Sequence, residues 1–156
     1  MHANAKKIVG KFIKWYLKGG ETVLEIGSKD INGNIRELFN EQIYFGVDIE
    51  NGKNVDRLVK PYNFGKKQYD VVLSVNCLEH VEKPWEWVIA LDKVVKSGGF
   101  VCIVTPINMG IHRFPVDCWR ILPDGYNVLF TKVLSNYTIL YNEFYYGDAF
   151  FVCRKN

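Results

Sequence analysis

A chain of 156 residues that is 48% hydrophobic and 15% aromatic can bury a real core, which excludes a disordered segment. Its formal charge of +3 comes from scattered lysines and arginines, not from a basic block, so the charge does not argue for a nucleic-acid partner. Cys77, Cys102, Cys118 and Cys153 form no CxxC pair, so neither a zinc knuckle nor a dithiol redox motif has its spacing; they read as free buried thiols of a reducing, cytoplasmic compartment.

Ile8, Val9, Phe12, Ile13, Tyr16 and Leu17 recur at helical spacing between lysines, which predicts an amphipathic helix over 5–18 closed by Gly19-Gly20. Nothing before it has the apolar core of a signal peptide, and no run approaches the roughly 20 apolar residues of a membrane span. Thr22 to Ile26 reads as a strand ending at Gly27, 34–40 as a short helix, 43–49 as a second strand and 55–59 as a brief third. The run from Tyr69 to Val75 is apolar on both alternations, the mark of a parallel strand buried on both faces. Pro84 opens a helix expected over 85–96, and 100–105 forms the next strand, so a βαβ unit makes the sheet parallel here. The stretch 107–123 is irregular, 124–134 predicts a helix, and 137–146 with 149–153 predicts a closing antiparallel hairpin. No linker divides the chain, so one domain over 1–156 is expected.

In an open parallel sheet, ligands collect at the carboxyl ends of the strands. The loop after the first strand offers Gly27 and Gly33, which let backbone approach a ligand closely. Glu25 at the strand tip would repel a pyrophosphate but suits a cationic amine or sulfonium, and GxGxxG is absent. Asp48, at the tip of the second strand, has the placement that binds ribose hydroxyls in nucleotide folds.

Val23-Leu24-Glu25-Ile26-Gly27-Ser28, then Tyr44 to Asp48, then Tyr69 to Ser74 leading into Leu78-Glu79-His80-Val81, and Leu91 through Gly98-Gly99 to Pro106 together resemble class I S-adenosylmethionine-dependent methyltransferases, of the broad type 11 group. The stretch from His112 to Gly125 is similar to a small subgroup of these. The resemblance implies an α/β Rossmann-like methyltransferase fold: a mostly parallel seven-stranded sheet whose last strand is antiparallel. S-adenosyl-L-methionine is the implied cofactor. Carried over by position, Glu25, Gly27, Ser28, Lys29 and Gly33 would hold its methionine part, Asp48 and Ile49 its ribose side, Tyr62, Asn63 and Phe64 its adenine, and Asn76 and Cys77 would face it. The sequence departs from the family pattern where Lys29 replaces a usual glycine. It departs again in the short gaps around the third strand, which leave no room for crossover helices; this minimal cover invites a partner or a homodimer.

Methyl transfer needs a placed nucleophile and, for a hydroxyl or protonated amine, a base. Of three histidines, His2 is terminal and His80 follows the fourth strand, where capping or packing is as good a role as contact with the cofactor. His112 stands in the long loop with Arg113, Asp117 and Arg120. An imidazole oriented by Asp117 is the standard base pairing; an Asp117–Arg120 ion pair that locks the loop is the competing reading. No His, Cys, Asp or Glu cluster has metal-ligand spacing, so no metal is expected. The function expected is O- or N-methylation of a small, sugar-like or anionic acceptor. The alternative is a non-catalytic cofactor-binding module working in a complex, and a dinucleotide oxidoreductase is disfavoured by Glu25.

Overall fold

The computed structural model describes residues 3–156; His2 lies outside them. Helix α1 (Ala3–Tyr16) is followed by β1 (Thr22–Ile26), β2 (Ile43–Asp48), β3 (Arg57–Leu58), β4 (Tyr69–Val75), α2 (Pro84–Asp92), β5 (Val95–Pro106), α3 (Pro123–Val128), β6 (Tyr137–Tyr145) and β7 (Asp148–Lys155). The strands form one sheet in the order β3-β2-β1-β4-β5-β7-β6. All neighbours from β3 to β5 pair in parallel, and β7 runs antiparallel to both β5 and β6. The seven-stranded architecture with one reversed strand is therefore as the sequence predicts.

Side-chain alternation sends one set of residues to each face of the sheet. Val23, Val71, Leu73, Cys102, Val104 and Phe150 meet Ile8, Val9 and Phe12 of α1, all fully buried. Leu24, Val72, Val101, Ile103 and Phe151 meet α2 and the segment after β5. There Phe151 stacks on Tyr126 and meets Phe130 at a tilt, with ring centroids 4.8 and 4.7 Å away.

Helical cover is sparse where the sequence leaves no room for it. The β1–β2 crossover contains one 3-10 turn, Arg36–Leu38, in place of the helix expected over 34–40, and Ile35 and Phe39 flanking it fill the α1 side of the core. No helix separates β2 from β3 or β3 from β4. The helix expected over 85–96 stops at Asp92, and β5 begins at Val95 instead of Phe100. Val94 and Val95 are fully buried, and a register shift between Tyr69 and Val71 absorbs the extra strand residues. Gly99 permits that bulge: a Cβ there would lie 2.9 Å from the Lys96 carbonyl and 3.0 Å from that of Asp70. The helix expected over 124–134 is α3 followed by a π-turn, Leu129–Val133. Among the described residues, no helix is long and apolar enough to cross a membrane. Cys102 and Cys153 are buried thiols, as expected, whereas Cys118 is exposed.

Candidate active site

The strand order reverses between β1 and β4, and a cleft of about 1040 Å³ opens at the carboxyl ends of the strands there. That volume stands at the upper end of small-molecule sites.

The loop leaving β1 forms one wall. Gly27 has φ +82°, and a Cβ on it would lie 2.5 Å from the Cys77 sulfur, so only glycine lets this loop close against the end of β4. The Gly27 and Ser28 N–H groups both donate to the Val47 carbonyl, at 2.9 and 3.1 Å. Asp30 organises the rest: it accepts from the Gly33 N–H at 2.7 Å and from the Asn34 amide at 2.8 Å. Glu25 is buried and accepts hydrogen bonds from the Tyr44 hydroxyl and, at 3.2 Å, from the Asn54 amide. Burial outweighs those bonds and pushes its carboxyl up to about 7.

Asp48 ties two loops together. Its Oδ2 accepts from the Lys29 N–H at 2.9 Å and its Oδ1 from the Glu50 N–H at 3.1 Å. A carboxylate has about four acceptor sites, so it keeps capacity for further donors. The Lys29 side chain turns to Glu50 at 2.7 Å, beside the cleft. Ile49, Val59, Tyr62, Phe64 and Trp87 make an apolar end, with Phe64 and Trp87 edge to face at 5.8 Å. Asn63 does not line the cleft. It is an exposed turn residue whose side-chain oxygen accepts from the Gly65 N–H at 3.2 Å, a correction to its place beside Tyr62 and Phe64.

The remaining wall joins the end of β4 to the long loop after β5. Asn76 and Cys77 line it, and burial pushes the Cys77 thiol up to about 12. The Glu79 carbonyl accepts from the N–H groups of Cys118 and Trp119 at 2.8 and 3.1 Å, and the Trp119 indole donates to the Val81 carbonyl at 2.8 Å. These bonds clamp the loop down and bring His112, Arg113 and Phe114 to the cleft. Asp117 is gripped by both terminal nitrogens of Arg120, at 2.6 and 2.8 Å, and accepts the His112 backbone N–H at 2.8 Å. The Arg120 guanidinium holds its carboxyl well below the usual carboxylate range. The His112 ring does not take Asp117 as its hydrogen-bond partner. Its Nδ1 lies 3.0 Å from the Gly110 carbonyl, against 3.4 Å to Asp117. The carboxylate facing the other ring nitrogen is Glu79, with its Oε1 3.7 Å from Nε2. Asp117 thus locks the loop through Arg120 and the His112 N–H, and neither it nor Glu79 hydrogen-bonds the His112 ring among the described residues.

Twelve of the sequence-derived site residues therefore converge on one cleft: Glu25, Gly27, Ser28, Lys29, Gly33, Asp48, Ile49, Tyr62, Phe64, Asn76, Cys77 and His112. Asn63 and Asp117 stand outside its lining. Trp87 and Met109 are lining residues that the sequence did not single out for the site, whereas Arg113, set beside His112 in the sequence, lines it as well. Trp87 had a signal, since it sits one turn into a helix that starts at the rim. Glu79 and His80 come to His112 only through the loop clamp.

Solved structures repeat this fold. An S-adenosylmethionine-dependent methyltransferase from Aquifex aeolicus superposes with a TM-score of 0.71 at 13% identity, covering 97% of this chain and 88% of its own. The Burkholderia thailandensis 1,6-didemethyltoxoflavin-N1-methyltransferase gives 0.74 at 16% identity, over 97% and 78%. An S-adenosylmethionine-dependent methyltransferase from Archaeoglobus fulgidus gives 0.67 at 16%, over 96% and 94%. At such identities the likeness is one of fold. No curated protein sequence matches the chain. The family described as "Methyltransferase domain" matches residues 10–103, which take in β1, β2, β4 and most of β5. The chain belongs to that family and is a class I S-adenosylmethionine-dependent methyltransferase.

Proposed function

We propose that the cleft holds S-adenosylmethionine along the walls built by Glu25 to Gly33 and by Asp48, and methylates an oxygen or nitrogen of a small, polar, anionic or sugar-like acceptor beside His112 and Arg113. The observation that carries the cofactor half is a pair of stranded polar atoms. Ser28 Oγ and Asn76 Oδ1 belong to lining residues, are buried, and have no hydrogen-bond partner among the described residues. Buried polar atoms without partners cost about 1–3 kcal/mol each, which a ligand carrying donors and acceptors recovers. The residues fit the group: Glu25 is a buried carboxyl that a cationic amine would return to its charged form, and Asp48 has acceptor capacity left for ribose hydroxyls. Ile49, Tyr62 and Phe64 supply an apolar slot for a flat ring.

When bound, the cofactor supplies a methyl group on a cationic sulfur, a leaving group that needs no acid. The chain has to orient the acceptor, exclude water and take up a proton. The His112 Nδ1–H donates to the Gly110 carbonyl, so Nε2 carries the lone pair and is the atom able to accept that proton. Arg113 lines the same cleft with no salt-bridge partner among the described residues, which favours an anionic acceptor. The Burkholderia thailandensis enzyme, solved with 1,6-didemethyltoxoflavin and S-adenosylhomocysteine bound, supports a small acceptor on this fold.

The test is transfer of a radiolabelled methyl group to paired neutral and acidic acceptors. Arg113→Ala is expected to raise KM for an acidic acceptor about tenfold, the scale of a lost charge-assisted hydrogen bond, and to leave its neutral counterpart unchanged. Equal effects on both would remove the anion preference.

A further inference from the structure

Glu79 sits in the 3-10 turn after β4, and its side chain is fully enclosed. Neither of its oxygens has a hydrogen-bond partner among the described residues. A carboxylate in that position is costly to keep, because burying one without compensation costs several kcal/mol. Two imidazoles face it. His80 Nδ1 lies 2.6 Å from the Val116 carbonyl, and His112 Nδ1 lies 3.0 Å from the Gly110 carbonyl. A carbonyl only accepts, so both Nδ1 atoms carry hydrogen, and in the neutral imidazole each Nε2 then presents its lone pair. Each Nε2 is 3.7 Å from the same Glu79 Oε1, and the three ligand atoms lie within 4.8 Å of one another. These contacts are too long for hydrogen bonds. Burial also holds the His80 imidazole toward its neutral form.

We propose that Glu79, His80 and His112 form a binding site for a divalent first-row transition ion, held by Glu79 Oε1 and the two Nε2 atoms. Metal–ligand bonds of about 2.0–2.2 Å set the ligand atoms of a tetrahedral centre about 3.4 Å apart, so each gap between Glu79 and an imidazole needs to close by about 0.3 Å, and the two Nε2 atoms, within 4.8 Å of each other, draw together by at most about 1.4 Å. Two imidazoles with one carboxylate select zinc-like ions over magnesium and calcium, which prefer all-oxygen sets. Anchoring each Nδ1–H on a backbone carbonyl is the usual way a protein orients ligating histidines. Three protein ligands leave coordination positions open, and both histidines line the cleft. The sequence conceals the set because the Glu79-His80 pair and His112 come from different loops, clamped together by the bonds from Cys118 and Trp119 to the Glu79 carbonyl.

What the ion does rests on the acceptor reading above: at an open position it orients an acceptor oxygen and lowers that group's pKa, and His112 then serves as a ligand instead of a base. The site itself is tested without cofactor or acceptor. Chelator-stripped protein is titrated with Co²⁺ alone, with visible ligand-field absorption as the readout. One equivalent is expected to bind, to be displaced by Zn²⁺ and to resist Mg²⁺. His112→Ala, on a surface loop, and Glu79→Gln, with folding checked by circular dichroism, are each expected to weaken Co²⁺ binding about 100-fold or more. Absence of the absorption would overturn the site, as would binding that survives His112→Ala. Either failure leaves S-adenosylhomocysteine binding, a separate measurement, untouched.

Discussion

His112→Ala is expected to cut turnover by about 10²–10⁴-fold while affinity for S-adenosylhomocysteine stays within about twofold of wild type. The split follows from position. His112 lines the cleft from the loop after β5, whereas the residues assigned to the cofactor belong to the ends of β1, β2 and β4 and to the segment after β3. Its Nε2 faces Glu79, and removing the ring takes away the proton acceptor or, in metal-loaded protein, a ligand. Asp117→Asn is the comparison. It loosens the Arg120 fork and the bond to the His112 N–H, so its main effect is a lower Tm, with a smaller loss of turnover. Cofactor affinity by calorimetry and turnover on any acceptor that wild type methylates separate the two. Wild-type turnover in His112→Ala would reduce the whole loop to a structural strap.

Gly27→Ala is expected to destabilise the fold by about 2–5 kcal/mol and to weaken cofactor binding with it. A left-handed backbone costs a residue with a Cβ about 1–2 kcal/mol, and forcing a methyl into a filled space costs about 1–3 kcal/mol more. Both apply here, since Gly27 has φ +82° and its would-be Cβ meets the Cys77 Cβ and sulfur at 2.6 and 2.5 Å. Turning the Cys77 sulfur away leaves the contact with its Cβ, so the chain relieves the clash by moving Cys77 or by lifting Ser28 and Lys29 away from β2, which breaks the bonds to Val47 and Asp48. Urea unfolding measures the loss. A change below about 1 kcal/mol would mean that the close approach is not required.

The centre of the sheet was legible because β1 and β4 are short apolar runs that must be buried on both faces, and the missing crossover helices were legible as gaps too short to hold them. Strand tips were legible for the same reason: a polar residue such as Glu25 or Asp48 directly after such a run has to stand at the sheet's carboxyl edge. Local competition was harder to read. The Gly98-Gly99 pair reads as a helix end, but buried Val94 and Val95 draw the chain into β5 earlier and turn the glycines into a bulge. Asn63 shares a segment with Tyr62 and Phe64, yet a tight turn points it outward. Least legible was whatever depends on two loops meeting. Proximity in sequence offers Asp117 to His112, but Arg120 takes that carboxylate, the Gly110 carbonyl takes Nδ1, and the carboxylate brought to within 3.7 Å of Nε2 is Glu79 from the far side of the βαβ unit.

The most direct test of the cofactor assignment is calorimetric titration of the purified protein with S-adenosylhomocysteine, with NAD as the control and Asp48→Ala as the paired variant. Wild type is expected to bind one equivalent of S-adenosylhomocysteine and no NAD. Asp48→Ala, folded by its melting curve, is expected to lose about 1–3 kcal/mol of that binding, the worth of hydrogen bonds to a charged group. Undiminished binding by folded Asp48→Ala, or heat from NAD and none from S-adenosylhomocysteine, would contradict the account.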